Sequence, residues 1–151
     1  RWPFNGGFDR LAISPPFNWT IENDRTELMD GGGLYLVHLA REETVFSRQY
    51  MTLGPGSYEL DAESQGQMSS GGGTVAFNVE CVGAEQPLAS RSLGQIPGIE
   101  EAPPTVFTVP EAGCGFQVLK IVGDIGLFPR VSRLEVSRVQ IDPVSDMSGE
   151  G

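Results

Sequence analysis

The stretch Ser47–Ser64, S-R-Q-Y-M-T-L-G-P-G-S-Y-E-L-D-A-E-S, shows most clearly which class of fold the sequence specifies. Two runs of strand-forming residues flank Gly54-Pro55-Gly56, where proline presets the backbone for a tight turn and glycine tolerates the positive φ that follows. After the turn, Tyr58, Leu60 and Ala62 alternate with acidic residues. A period of two is typical of a strand with one buried and one solvated face. The stretch therefore predicts a β-hairpin.

Similar short strands recur along the chain. Val75–Cys81 alternates in the same way, and Phe116–Val122 is apolar on both faces, which favours a central strand. The apolar positions of Val131–Ile141 change phase halfway, which predicts a β-bulge. We expect segment 82–104, with its four prolines, to be irregular. No stretch of ten residues has a helical period, so the sequence predicts an all-β, two-sheet antiparallel β-sandwich.

The size and charge of the chain limit the classes of partner. At 151 residues the chain is long enough for one domain with a substantial core, which we place at 1–144, followed by a flexible tail at 145–151. The net charge is −10 and Lys120 is the only lysine. This balance argues against nucleic acid and against an anionic membrane surface, because both require clustered cations.

The two cysteines predict a disulfide bridge. Cys81 ends one predicted strand and Cys114 lies just before another, as a bridge between neighbouring strands requires. A bridge implies an oxidising compartment, and hence a secreted, periplasmic or cell-envelope protein. The alternative is two buried free thiols.

The sequence does not indicate an enzyme. It contains no phosphate-binding loop and no G-x-S-x-G nucleophile motif, and its single histidine, His38, lies among strand-forming residues. A structural role for His38 is the simpler interpretation. A hydrolase would have to rest on a pair of the twenty acidic residues, none of which stands out. We also see no signal peptide and no apolar run of about 18 residues, and a chain that starts at Arg1 without methionine suggests a fragment or a processed protein.

Several short motifs stand in a recognisable order. They are Asn5-Gly6-Gly7-Phe8-Asp9, Pro16-Phe17-Asn18-Trp19, Gly33-Leu34-Tyr35-Leu36-Val37, Pro55-Gly56-Ser57-Tyr58 and Val139-Gln140-Ile141-Asp142-Pro143-Val144. This order resembles the carbohydrate-binding modules of the families 4, 9 and 22 group. The resemblance implies a galactose-binding-like jelly roll without catalysis. It also implies a structural Ca²⁺ between the opening and closing acids, here Asp9 and Asp142, since Ca²⁺ prefers carboxylate and carbonyl oxygens. Otherwise these two acids cap turns.

The solvated face of the predicted hairpin is the candidate sugar site. Met51, Leu53 and Leu60 are predicted to face the core, so the residues that alternate with them form the opposite face. That face has one tyrosine among charged and amide groups. Its residues are Phe46, Arg48, Tyr50, Glu59 and Asp61, with Asn78 and Glu80 from the next strand. From this face we select Arg48, Tyr50, Asp61 and Asn78 as ligand-binding residues. The alternative is an ordinary solvated sheet face.

Two functions follow from these observations. The first is a non-catalytic, carbohydrate-binding-like module of a larger exported or envelope protein, with a glycan as its partner. The second is a structural or protein-interaction domain on the same fold, whose exposed face meets a neighbouring domain of the parent protein. Fold alone does not decide between them.

Overall fold

The computed structural model describes residues 19–22, 26–29, 32–66, 73–94, 104–127 and 131–144. The described residues form ten strands and no helix. The strands are β1 Thr20–Ile21, β2 Thr26–Leu28, β3 Leu34–His38, β4 Thr44–Met51, β5 Gly56–Gln65, β6 Val75–Cys81, β7 Pro87–Ser92, β8 Thr105–Val109, β9 Gln117–Gly123 and β10 Ser132–Pro143.

The strands form two five-stranded antiparallel sheets. Sheet I has the order β1-β4-β9-β6-β7, and sheet II has the order β2-β3-β10-β5-β8. The two sheets pack face to face around one apolar core, which is the arrangement of a jelly-roll β-sandwich. The predicted fold class is therefore confirmed. Within the described ranges there is no helix with the length and apolar character needed to span a bilayer.

The β-hairpin predicted at Gly54–Gly56 is wrong. β4 pairs with β1 and β9 in sheet I, whereas β5 pairs with β10 and β8 in sheet II. The turn therefore carries the chain from one sheet to the other. The alternation of β5 showed correctly that Leu60 and Ala62 are buried. It could not show which strand lies beside β5, because a buried face looks the same whichever neighbour the strand has.

One strand lies in the segment that was expected to be irregular. β7 begins at Pro87, and proline is tolerated at the first residue of a strand and on an edge strand. Ala89 and Arg91 of β7 point inward and are buried. The prolines of this segment thus mark an edge strand as well as the loops around it.

Two other predictions about strands are confirmed. β9 is the central strand of sheet I, with both Val118 and Leu119 buried. β10 contains the predicted bulge, because its register to β5 shifts between Val136 and Arg138. The extra residue lets Val136 and Val139, on either side of the bulge, both face the core.

The predicted disulfide is confirmed. Cys81, at the end of β6, is bonded to Cys114, in the loop before β9, with a Cα–Cα distance of 5.1 Å. Both cysteines belong to the buried core cluster. The bridge fixes the β8–β9 loop to one end of sheet I, beside the turn that joins β4 to β5. The predicted tail at 145–151 and the opening motif at Asp9 lie outside the described residues.

Candidate functional site

Three of the four predicted ligand residues lie on the same sheet. Arg48 of β4 is opposite Lys120 of β9, and Lys120 is opposite Asn78 of β6. In the next row, Tyr50 is opposite Val118, and Val118 is opposite Glu80. Residues directly opposite each other in antiparallel strands project from the same side of a sheet, so these six form one contiguous surface.

This surface points away from the core. The residues that alternate with it, among them Gln49, Leu119 and Val79, are completely buried. By the period of two, Arg48, Tyr50, Asn78, Glu80, Val118 and Lys120 must project to the other side of sheet I. We call these six residues the outer face of sheet I.

The charges on the outer face are paired. Lys120 Nζ lies 3.0 Å from Glu80 Oε1. Arg48 Nε lies 3.2 Å from Glu22 Oε2, close enough for an ion pair, although Nε makes no hydrogen bond among the described residues. Partly exposed ion pairs of this kind add little stability. Their effect here is to hold two long side chains in place and to leave the face close to electrically neutral.

Asn78 contributes an acceptor that the fold does not use. Its Oδ1 atom is buried and has no hydrogen-bond partner among the described residues. Leaving a buried acceptor unpaired costs about 1–3 kcal/mol.

Aromatic residues mark one end of the outer face. Tyr50 is half-buried on this face. Phe116 lies two residues before Val118, on the same side of β9, and 55% of its surface is exposed. Continuing the register by one residue beyond Met51 and Gln117 makes Phe116 a diagonal neighbour of Tyr50, and such neighbours are roughly 7–8 Å apart, a separation that aromatic side chains can bridge. Val82, also exposed, donates its backbone N–H to Phe116 O at 3.0 Å.

Phe116 was not among the site residues predicted from the sequence. It was assigned to an apolar strand and hence to the core. The alternation of side chains could have identified it, because Phe116, Val118 and Lys120 are two residues apart and so project to the same side. Phe116 also directly follows the turn-forming run Gly113-Cys114-Gly115.

Three residues assigned to this face by sequence lie elsewhere. Phe46 is 1% exposed because a β4 bulge between Val45 and Ser47 turns it inward, where its ring packs edge-on against His38 at 5.6 Å. Glu59 and Asp61 belong to β5 and therefore lie in sheet II. The mistaken hairpin is the reason that the latter two were grouped with Tyr50.

Asp61 forms contacts within sheet II and between the two sheets. Its carboxylate lies 3.5 Å from Nη2 of Arg91, a buried residue of β7, and 3.5 Å from Nη2 of Arg138 of β10. Arg91 also donates to the backbone carbonyl of Ala62 at 3.2 Å. The pKa of Arg138 is raised, mainly by its hydrogen bond to Glu63 and with smaller contributions from the nearby charges of Glu63 and Asp61. Because Asp61 lies in sheet II and Tyr50 on the outer face of sheet I, the two residues cannot share a site.

The calcium prediction involves residues that the structure describes only in part. Asp142 Oδ2 accepts a hydrogen bond from Gln140 Nε2 at 2.6 Å. Asp9 lies outside the described residues. Within the described ranges, no group of three or more His, Cys, Asp or Glu residues could hold a metal ion. The described donors alone therefore do not form a coordination set.

Comparison with known proteins relates this chain to others by fold. No protein-family model matches the sequence, and no curated protein matches it. Among solved structures, the module TmCBM61 in complex with β-1,4-galactotriose is similar, with a TM-score of 0.56 and 15% sequence identity over 93% of this chain and 97% of the module. The chain thus has the fold of a carbohydrate-binding module. The likeness is to a family 61 module, and it does not show membership of the families 4, 9 and 22 group.

Proposed function

We propose that this chain is a non-catalytic glycan-binding module that holds a neutral oligosaccharide on the outer face of sheet I. The observation that carries the proposal is the register that places Arg48, Tyr50 and Asn78 on the same side of sheet I, in neighbouring rows of β4, β9 and β6. The fold supports it, because a module with the same architecture has been solved with a bound galactotriose.

The chemistry of the face suits a sugar ring. A sugar presents apolar C–H groups on its faces and hydroxyl groups around its edge, so a tyrosine ring provides an apolar contact surface for one of its faces. Arg48 and Lys120 can donate to hydroxyl oxygens, and the side-chain amide nitrogen of Asn78 is a third donor. Because the cations are paired with Glu22 and Glu80, the face has no excess charge for an acidic glycan.

The disulfide bridge indicates the cellular compartment of the parent protein. A disulfide persists in oxidising compartments, so we infer that the parent protein is exported or belongs to the cell envelope. Soluble or wall-bound glycans are accessible there. No step of this function needs a catalytic group, and the one histidine, His38, is completely buried.

Replacing Tyr50 by alanine tests the site. We expect Tyr50→Ala to weaken oligosaccharide binding about fivefold or more, since the lost apolar contact is worth roughly 1 kcal/mol. Calorimetry against galacto-, cello- and xylo-oligosaccharides would measure this change. The matched control is Tyr35→Ala, because Tyr35 projects from sheet II between the buried residues Leu34 and Leu36. That variant should bind as the unmodified chain does.

Two outcomes would contradict the proposed site. If Tyr35→Ala weakens binding and Tyr50→Ala does not, the glycan lies on sheet II. If no oligosaccharide binds, the result favours the alternative function, in which the outer face contacts a neighbouring domain through exposed side chains such as Val82 and Phe116. Thermal melting of both variants would show whether a loss of binding reflects a loss of folding.

The structural Ca²⁺ remains a prediction. If Asp9 and Asp142 share an ion, binding to the native state alone raises stability by mass action. EDTA should then lower the melting temperature of the unmodified chain, and Asp142→Asn should abolish the response to EDTA. A melting curve unchanged by EDTA in protein purified with calcium would refute the prediction.

A further inference from the structure

A cleft of about 420 Å³ lies at the end of the sandwich that carries the disulfide. One wall is the β4–β5 turn and the other is the β8–β9 loop. The lining residues are Thr52, Leu53, Gly54, Pro55, Pro110, Glu111, Gly113, Cys114 and Gly115. Its volume falls within the range of about 300–1,000 Å³ that is usual for small-molecule sites.

Buried interactions hold both walls in place. Gln117 is completely buried, and its side-chain amide joins the two loops. Its Oε1 accepts from Leu53 N at 2.6 Å, and its Nε2 donates to Cys114 O at 2.7 Å and to Leu53 O at 3.3 Å. The Cys81–Cys114 bridge fixes the second wall to β6. A cleft whose walls are fixed before binding loses little conformational entropy when a ligand enters.

The lining combines apolar surfaces with hydrogen-bonding groups. Leu53, Pro55 and Pro110 offer apolar contact, while Thr52 carries a hydroxyl group and Glu111 a carboxylate. A sugar residue needs both types of contact, because it presents C–H groups on its faces and hydroxyl groups at its edge. The lining contains no cation, so it does not favour an anionic ligand.

The cleft continues the outer face of sheet I. Thr52 follows, and Phe116 precedes, the paired residues Met51 and Gln117 at the end of β4 and β9. Thr52 and Gly115, the neighbour of Phe116 in the chain, both line the cleft. In the chain, the exposed residue Phe116 therefore lies between the cleft residue Gly115 and Val118 of the outer face.

We propose that the cleft is a second sugar subsite of the same glycan-binding surface. It holds one neutral sugar residue through Thr52 and Glu111, and the next residues of the glycan lie over Phe116 and Tyr50. This inference rests on the proposed function, because it assumes that a glycan occupies the outer face. It adds that affinity depends on glycan length, and that Phe116 and Glu111 are responsible for this dependence.

The test compares glycan lengths in matched variants. Calorimetry with galactose, β-1,4-galactobiose and β-1,4-galactotriose, and with the corresponding cello- and xylo-oligosaccharides, should show affinity that increases with length in the unmodified chain. Phe116→Ala and Glu111→Gln should each reduce the affinity for the trisaccharide, and hence the gain from monosaccharide to trisaccharide, about fivefold or more. The controls are Val106→Ala and Glu59→Gln, exposed residues of sheet II, which should change neither.

The outcomes separate this inference from the proposed function. If Tyr50→Ala weakens binding but Phe116→Ala and Glu111→Gln leave the length dependence intact, the cleft is not a subsite and the glycan-binding function stands. If the two variants weaken monosaccharide and trisaccharide equally, the cleft is again excluded as a separate subsite. If no glycan binds, both proposals are wrong. Because Phe116 and Glu111 are exposed, neither variant should alter the melting temperature appreciably.

Discussion

Removing the Cys81–Cys114 bridge should lower the free energy of unfolding by about 4 kcal/mol. The two cysteines are 33 positions apart. Closing a loop of that length removes conformational entropy from the unfolded chain, and the chain-entropy model gives roughly 3.7 kcal/mol. Since a domain of ordinary stability unfolds at about 5–15 kcal/mol, this loss would be a large part of the total. Urea denaturation of the oxidised chain and of Cys81→Ala/Cys114→Ala would measure it.

A reducing agent provides the control for this prediction. Dithiothreitol should destabilise the unmodified chain and leave the double-alanine variant unchanged. The denaturant dependence of the variant should also be steeper, because its unfolded state is less compact. If the variant is within about 1 kcal/mol of the oxidised chain, the bridge does not restrict the unfolded state as the entropy model requires.

Gly123→Ala should destabilise the fold by about 3 kcal/mol or more, because the new methyl group would collide with His38. An ideal Cβ at Gly123 would lie 2.5 Å from His38 Cε1 and 2.7 Å from Nδ1. The ring has little room to move, since it is completely buried, Nε2 donates to Asp124 O at 2.7 Å, and Phe46 packs against it. Overpacking a rigid core commonly costs 1–3 kcal/mol, and here the collision is with several ring atoms.

Gly54→Ala is the matched control for that substitution. Gly54 does not have a positive φ, and no atom outside its chain neighbours lies within 4 Å of its ideal Cβ position. Gly54→Ala should therefore change the free energy of unfolding by no more than about 0.5 kcal/mol. Thermal denaturation of both variants would show the difference, and equal melting temperatures would mean that His38 can move away.

Properties that depend on neighbouring residues in the chain were predictable from sequence. The alternation in β5 identified Leu60 and Ala62 as buried, and the change of phase in β10 identified its bulge. The position of the cysteines at strand ends identified the disulfide. The first two follow from the period of two in a strand and the third from where the predicted strands end, and a sequence shows both directly.

Properties that depend on which strands meet were not predictable in the same way. A turn with the same residues can join two strands of one sheet or carry the chain between two sheets, so the hairpin prediction failed and Asp61 was assigned to the wrong face. The bulge in β4 that buries Phe46 depends on its neighbour β9. Phe116 and the cleft beside it become visible only when the β4–β5 turn and the β8–β9 loop are placed together.

Buried polar residues were a second limit of sequence reasoning. Gln49, Arg91 and Gln117 all point into the sandwich, although polar residues in strands usually mark the solvated face. At Gln117 and Arg91, burial is compensated by hydrogen bonds to backbone carbonyl groups. Those carbonyls belong to segments distant in sequence or across a turn, so the pairing is a property of the folded chain.

The most direct test of the glycan site is an amide NMR titration with β-1,4-galactotriose, or with whichever oligosaccharide binds most tightly in calorimetry. We expect the largest shift changes at Tyr50, Lys120 and Asn78, including the side-chain amide of Asn78. The side-chain amide of Gln140, on the solvated face of sheet II, should not respond. Changes centred on sheet II, or no changes at saturating oligosaccharide, would contradict a glycan site on the outer face of sheet I.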